Sequence, residues 1–321
     1  MNRKVLFPAL IAVLTAACFI PVTQQKSTLV KSPFLIIYSV LSNPFKWEQL
    51  EPGLKKLAIA DSAKISIENT NTSFRINYPG IHINVQMKGG GFFVDEDIHG
   101  QKASYTYILI PVSDKFYNKT TVVSEEKTTA INYLIESIWP SSSPGKHLAT
   151  LKKFMESDSL HYGFKIFATG VPASNLIVMR KEVSKEKKFT EAANMLSVLQ
   201  QFVKANDVKQ VYPVIAQYLS KGKDSTQVNV GLYIDKEVSS GNGIIFTRMP
   251  KGGPLYAAPF KGAFSKRGQV YAALKQYFSD HAYQTAILPF ETYFDNKLPV
   301  NDNDTINIQV NFSTYPNDQV H

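Results

Sequence analysis

The run Ile287-Leu288-Pro289-Phe290-Glu291-Thr292-Tyr293-Phe294 sets one carboxylate two residues before a phenol in an otherwise apolar stretch. In an extended strand, alternation places Glu291 and Tyr293 on one face and Phe290 and Thr292 on the other. A carboxylate among such neighbours costs several kcal/mol to bury unpaired, or it takes up a proton. A cationic ligand stacked on aromatic faces would stabilise it. The same pair could serve as general base and proton donor, although no nucleophile or oxyanion motif accompanies it. The plain alternative is an exposed strand glutamate.

Other chemistry-bearing residues point less far. Gly89-Gly90-Gly91 lacks the Gly-Lys-Ser/Thr of a phosphate loop and reads as a hairpin. Asp95-Glu96-Asp97 could be a cation site, but a lone acidic turn is usually a solvated tip. Tyr78, His82, Tyr105 and Tyr107 suit either a cavity wall or ordinary sheet packing. The histidines, at 82, 99, 147, 161, 281 and 321, never fall in a zinc-ligand spacing, so no metal and no cofactor is expected. The single cysteine, Cys18, lies in the apolar leader, which leaves the rest of the chain without a disulfide or a thiol nucleophile. No catalytic residue is therefore assigned, and the chain reads as a binder rather than an enzyme.

These residues sit on a chain of 321 amino acids, about twice a usual domain, so two domains are expected. The net charge of +9 is spread along the sequence. No helix-turn-helix, zinc-finger or RNA-recognition signature accompanies it, so nucleic acid is not expected as a partner. Residues 1–22 read as a transmembrane anchor or signal segment: Arg3 and Lys4 precede a charge-free run from Val5 to Val22. Eighteen residues at about 1.5 Å each reach roughly 27 Å, enough for a thin bilayer core. An uncleaved anchor is the preferred reading, with a cleaved signal peptide and acylation at Cys18 as the alternatives. All three place the bulk of the chain outside the cytoplasm.

Residues 23–160 form the first expected domain. TQQKSTLVKS reads as a strand, Ser32-Pro33 opens a helix with Phe34, Ile37, Tyr38 and Leu41 on its buried stripe, and Asn43-Pro44 stops it. KISIENT, SFRINYP, IHINVQMKG, GFFVDEDIHG and SYTYILIPV follow as an antiparallel meander. EEKTTAINYLIESIWP and HLATLKKFMESDSL read as closing helices. The whole describes a sheet wrapped around a long last helix, with room for a cavity between them.

Residues 161–321 repeat themselves. LQQFVKAN (199–206) aligns with LKQYFSDH (274–281) at an offset of 75, YPVIAQYLSK (212–221) with LPFETYFDNK (288–297) at 76, and VNVGLYI (228–234) with INIQVNF (306–312) at 78. Each copy reads as strand, helix, strand, strand, and two such modules must pair to bury their sheets. At an offset of 76, Ile215 and Gln217 stand where the second copy has Glu291 and Tyr293.

The opening segment FIPVTQQKSTLVKSPFLIIYSVLSNPFKWEQLEPG resembles that of bacterial START-like (SRPBCC, polyketide-cyclase-like) domains, with Trp47 matching their first turn tryptophan and Leu50 replacing the second aromatic. The duplicated half, with Gly262 ahead of its second helix and Glu291-Thr292-Tyr293, resembles the GyrI-like, or AraC-type effector-binding, domain. Together they imply an α+β protein: an N-terminal transmembrane helix, a helix-grip domain, then a duplicated module holding a small molecule. The ligand-binding residues expected are Glu291, Tyr293, Tyr256, Phe290 and Tyr218, with Trp47 at the mouth of the first cavity. The function expected is a membrane-tethered binding protein for a small hydrophobic or cationic molecule. The alternatives are a hydrolase using Glu291 and Tyr293, or a lipid or hydrophobe carrier acting through the START-like cavity.

Overall fold

The computed structural model describes residues 15, 19–50, 54, 65–113, 118–131, 133–134, 144–250 and 253–315. It divides into two compact units, Met1–His161 and Tyr162–His321, each an antiparallel sheet with helices.

In the first unit the described strands are β1 (Pro21–Val30), β2 (Ser66–Asn69), β3 (Ser73–Tyr78), β4 (Ile81–Lys88), β5 (Gly91–Ile98), β6 (Gln101–Pro111) and β7 (Thr120–Thr129). They run in the order β1-β7-β6-β5-β4-β3-β2. Two-residue turns drive the meander. Gly89 and Gly90 both hold positive φ, 59° and 80°, and so do His99 and Gly100, 53° and 84°. That geometry matches the twist of the flanking strands. Phe74, Ile76, Ile83, Val85, Phe92 and Val94 turn to one face. They pack against Ile37 and Leu41 of α1 (Phe34–Leu41), Trp47 of α2 (Pro44–Leu50), and Leu148, Leu151 and Phe154 of α3 (Pro144–Met155).

Three expectations change here. The segment from Glu125, read as a helix, is strand as far as Thr129, the second half of β7, and its described residues are helical only from Ala130. Thr120, Val122 and Ser124 alternate into the core, and β7 pairs with β1 on one side and β6 on the other, so the ladder overrides local propensity. The last helix is broken: α3 ends at Met155 and a short α4 (Asp158–His161) follows. Pro21 and Val22, counted with the apolar leader, open β1. Most of the leader, Cys18 included, lies outside the described residues. Among the described residues no helix is long and apolar enough to cross a membrane.

The acidic triplet is not a turn either. It lies within β5, with Asp95 and Asp97 on the outer face and Glu96 buried on the inner one. There the Glu96 carboxylate accepts from the Tyr105 hydroxyl at 3.2 Å and stands 3.6 Å from His147 Nε2.

The second unit shows the repeat directly. β9 (Asn175–Ser184), α5 (Lys188–Ala205), β10 (Val214–Lys221) and β11 (Ser225–Tyr233) are followed by β13 (Leu255–Ala263), α6 (Gly268–Asp280), β14 (Phe290–Tyr293) and β15 (Thr305–Ser313). With β8 (Phe167–Thr169) and β12 (Ile245–Arg248) they order as β12-β9-β11-β10-β14-β15-β13-β8. The copies meet at the β10–β14 pair. On one face Val228, Val230 and Leu232 pack against Met195, Leu196 and Leu199 of α5, and Ile308, Val310 and Phe312 against Val270, Leu274 and Phe278 of α6. On the opposite face Leu176, Ile215, Tyr233, Leu255 and Phe290 form a separate apolar layer with Met249, and no residue of α5 or α6 joins it.

Candidate functional site

Glu291 and Tyr293 do share a face, the one that α5 and α6 cover. Glu291 has no exposed surface. Its Oε1 accepts from Arg267 Nε at 2.7 Å and from the Tyr271 hydroxyl at 3.0 Å, and its Oε2 accepts from the Tyr293 hydroxyl. Arg267 stands just before α6, after the tight turn Phe264–Lys266. Its guanidinium lies 3.5 Å from the Phe264 ring centroid and 5.6 Å from that of Tyr218, and Nη1 donates to the Phe264 carbonyl. The expected cation on aromatic faces is therefore present, supplied by the chain itself. The Tyr218 hydroxyl is buried beside Tyr293, yet among the described residues no hydrogen bond of normal geometry satisfies it. Burial, reinforced by the Glu291 charge, pushes the phenols of Tyr218, Tyr271 and Tyr293 well above their ordinary range.

The register corrects one more expectation. Ala216, not Ile215 or Gln217, lies opposite Glu291 on the same face. An offset of 75 relates Ala216 to Glu291 and Tyr218 to Tyr293, the same offset that relates the helical segments. Because strand faces alternate, an offset of 76 places the comparison on the wrong side of the sheet.

The other expected residues separate. Tyr256 belongs to an aromatic group at the far end of α6, its ring stacked on Tyr283 at 4.9 Å and its hydroxyl donating to that of Tyr283 at 3.0 Å. Trp47, in the first unit, donates from Nε1 to the Leu41 carbonyl at 2.9 Å and meets Phe74 edge-on. The hollow beside it, walled by Tyr105, Tyr107, His147 and Leu151, measures about 10 Å³, space for a single water at most. Phe290 is on the face of the second sheet opposite the helices.

Two hollows lie on that opposite face. One hollow of about 120 Å³ is walled by Leu176, Val178, Ile215, Met249, Ile287 and Phe290 and floored by Gly231. Met249 and Ile287 also wall a neighbouring hollow of about 250 Å³ that extends past Leu255 to Ser313 and Tyr315. Glu291 and Tyr293 line neither.

Gly231 lets the walls of the first hollow close in on the sheet. It sits mid-strand in β11, paired with Ile215 on one side and Val178 on the other. A Cβ there would meet Ile215 Cγ1 at 3.0 Å and Leu176 Cδ1 at 3.2 Å. A glycine inside a strand marks such a close approach or an opening for a ligand. The offset of 75 maps Ile215 onto Phe290, whose partner is Asn311. The Asn311 amide fills its place, donating to Thr292 Oγ1 at 3.0 Å. At the Phe290–Asn311 pair of the second copy a side chain thus stands where the first copy has Gly231, while Leu255 and Ser313 of the second copy line the larger hollow.

Polar groups gather at one end of this cleft. Asn229 Nδ2 donates to Gln217 Oε1 at 2.6 Å, and Gln217 Nε2 donates to the carbonyls of Leu288 and Pro289. Arg180, paired with Asn229 across the β9–β11 ladder, completes that end. Sequence patterns did not reveal this site, because its floor is an absent side chain and its walls come from four strands and two loops. The glycine interrupting the apolar strand VNVGLYI was the one legible signal.

No family model matches the chain, and no curated protein does. Solved structures give distant likenesses. The crystal structure of the EcmrR C-terminal domain is 17% identical at a TM-score of 0.39, over 48% of this chain and 98% of that one. A hydrolase from Listeria innocua is 12% identical at 0.33, over 46% and 90%. The di-domain ARO/CYC BexL from the BE-7585A biosynthetic pathway is 12% identical at 0.31, over 91% and 85%. At these values the likenesses carry no argument about this chain, and the site rests on its own residues.

Proposed function

We propose that the second unit binds a small, largely apolar molecule in the cleft opposite α5 and α6, where the two copies of the repeat meet. The observation that carries this reading is the hollow floored by Gly231 and its extension past Met249 and Ile287. Such a cavity, apolar with a few polar groups at one end, is the usual form of a small-molecule site. The Glu291 cluster acts as the structural centre on the other face, its charge already met by Arg267. A hydrolytic role for Glu291 requires access to substrate, and this carboxylate has no exposed surface. Carriage of a hydrophobe beside Trp47 requires volume, and the hollow there measures about 10 Å³.

Tethering to a membrane through the charge-free run behind Arg3 and Lys4 belongs to the same proposal and rests on the sequence alone. Fractionation of cells expressing the full chain tests it: recovery in the soluble cytoplasmic fraction would remove the tether.

Ile287→Trp tests the cleft, since this half-buried loop residue walls both hollows and can fill them without disturbing the sheet. A thermal-shift panel of small apolar compounds against the full chain should yield hits that Ile287→Trp abolishes. Hits that all survive the substitution would place the ligand elsewhere.

A further inference from the structure

The cleft has a charged end, and that end has a preference. Four arginines fall among the described residues, and three of them hold carboxylates: Arg75 with Glu68 at 3.9 Å, Arg248 with Glu237, and Arg267 with Glu291 at 2.7 Å. Arg180 makes no hydrogen bond or ion pair with the described residues and stands exposed at the mouth of the apolar hollow. The nearest carboxylate on its own strand face, Glu182, accepts from the Ser225 hydroxyl at 2.7 Å. Across the ladder Arg180 faces the Asn229 amide, which is neutral. Gln217 and Asn229 are held in place by their mutual hydrogen bond and by the Leu288 and Pro289 carbonyls, so the polar end is fixed.

From Arg180 the walls run back along β9 through Val178 to Leu176, four residues or on the order of 13 Å. Met249 and Ile287 are common to the second hollow, which reaches Leu255. A guanidinium presents a planar fork that matches a carboxylate with two parallel hydrogen bonds. Behind it lie the two apolar hollows, with no carboxylate among the described residues that line them, so a ligand with a cationic head would meet only Arg180 and amides there.

We propose that the cleft takes an amphipathic carboxylate, its head on Arg180 and its unbranched apolar tail running over Gly231 toward Met249 and Leu255. This rests on the cleft being the ligand site, and it adds the charge and orientation of the ligand. The ligand is thus opposite in charge to the cation that Glu291 alone suggests.

Three probes with equal tails separate the two levels of the proposal: decanoate, decanol and decyltrimethylammonium, each titrated calorimetrically into the full chain below its micellar concentration. Decanoate should bind at least tenfold more tightly than decanol, and the ammonium should bind more weakly than either. Arg180→Gln should weaken decanoate at least tenfold and leave decanol unchanged, whereas Ile287→Trp should abolish both. Decanoate and decanol binding alike, or decanoate indifferent to Arg180→Gln, overturns the head-group assignment while leaving the cleft. Binding of none of the three, or binding of all three unaffected by Ile287→Trp, overturns the cleft itself.

Discussion

Arg267 donates from Nε to Glu291 Oε1 across 2.7 Å, so a fully buried carboxylate receives its cation from 24 residues earlier in the same repeat. Breaking a buried pair by removing one partner leaves the other charge uncompensated and costs about 3–5 kcal/mol, whereas removing both together costs far less. Glu291→Gln and Arg267→Met should each destabilise by something near that range, the arginine variant less because its side chain is 19% exposed. The double variant should recover much of the loss. Urea unfolding of the four proteins as a double-mutant cycle measures the coupling, and additive losses would mean that the pair is not a unit.

Tyr233 offers the opposite case. Its hydroxyl is buried with no hydrogen-bond partner among the described residues, against Tyr212 and the apolar layer that Leu176 and Phe290 share. An unsatisfied buried hydroxyl carries its desolvation penalty without compensation, so its removal should stabilise by about 1 kcal/mol. Tyr233→Phe is expected to raise the midpoint of thermal unfolding, and a lowered midpoint would show that the hydroxyl has a partner in solution.

Alkaline pH should find the same buried phenols. Burial raises Tyr218, Tyr233, Tyr271 and Tyr293 above the value near 10 that an unfolded chain shows. The folded state therefore keeps protons that the unfolded state loses. Their contribution to stability is complete below about pH 10 and declines above it, by about 1.4 kcal/mol per pH unit for each tyrosine. Thermal midpoints between pH 8 and 11.5 should stay level and then drop, with phenolate absorbance lagging until unfolding. Smooth ionisation of all the tyrosines in the folded protein would contradict this.

At Gly231 the prediction concerns space. Gly231→Ala pushes a methyl against Ile215 and Leu176, and overpacking of this kind costs about 1–3 kcal/mol. Ile215→Ala alone should also destabilise, by leaving a larger hollow. Combined, the two should be less harmful than their sum. Strict additivity in denaturant titrations would indicate that the groups do not touch.

Much of the second unit is legible in its sequence, because duplication repeats one pattern and the apolar periods of α5 and α6 are strong. NLIVMRKEVS is recovered as β9 to the residue. The first unit is less legible at its end: Glu125–Lys127 favour a helix locally, and only the pairing of β7 with β1 and β6 makes them a strand. The candidate site divides in the same way. That Glu291 needs a cation follows from its neighbours. That the cation is Arg267 does not, since no local spacing ties a helix start to a strand 24 residues on. An offset of 76 rather than 75 also exchanges the two faces, which hides Ile215 and Phe290 as equivalents.

The pairing of β1 also sets a boundary for any processing of the chain. Ten consecutive positions, from Pro21 opposite Thr129 to Val30 opposite Thr120, are matched to β7. A protease that trimmed into this stretch would strip one side of β7 bare and leave a sticky edge of the kind that recruits other chains. Any maturation cut compatible with a well-behaved product must therefore fall ahead of Pro21.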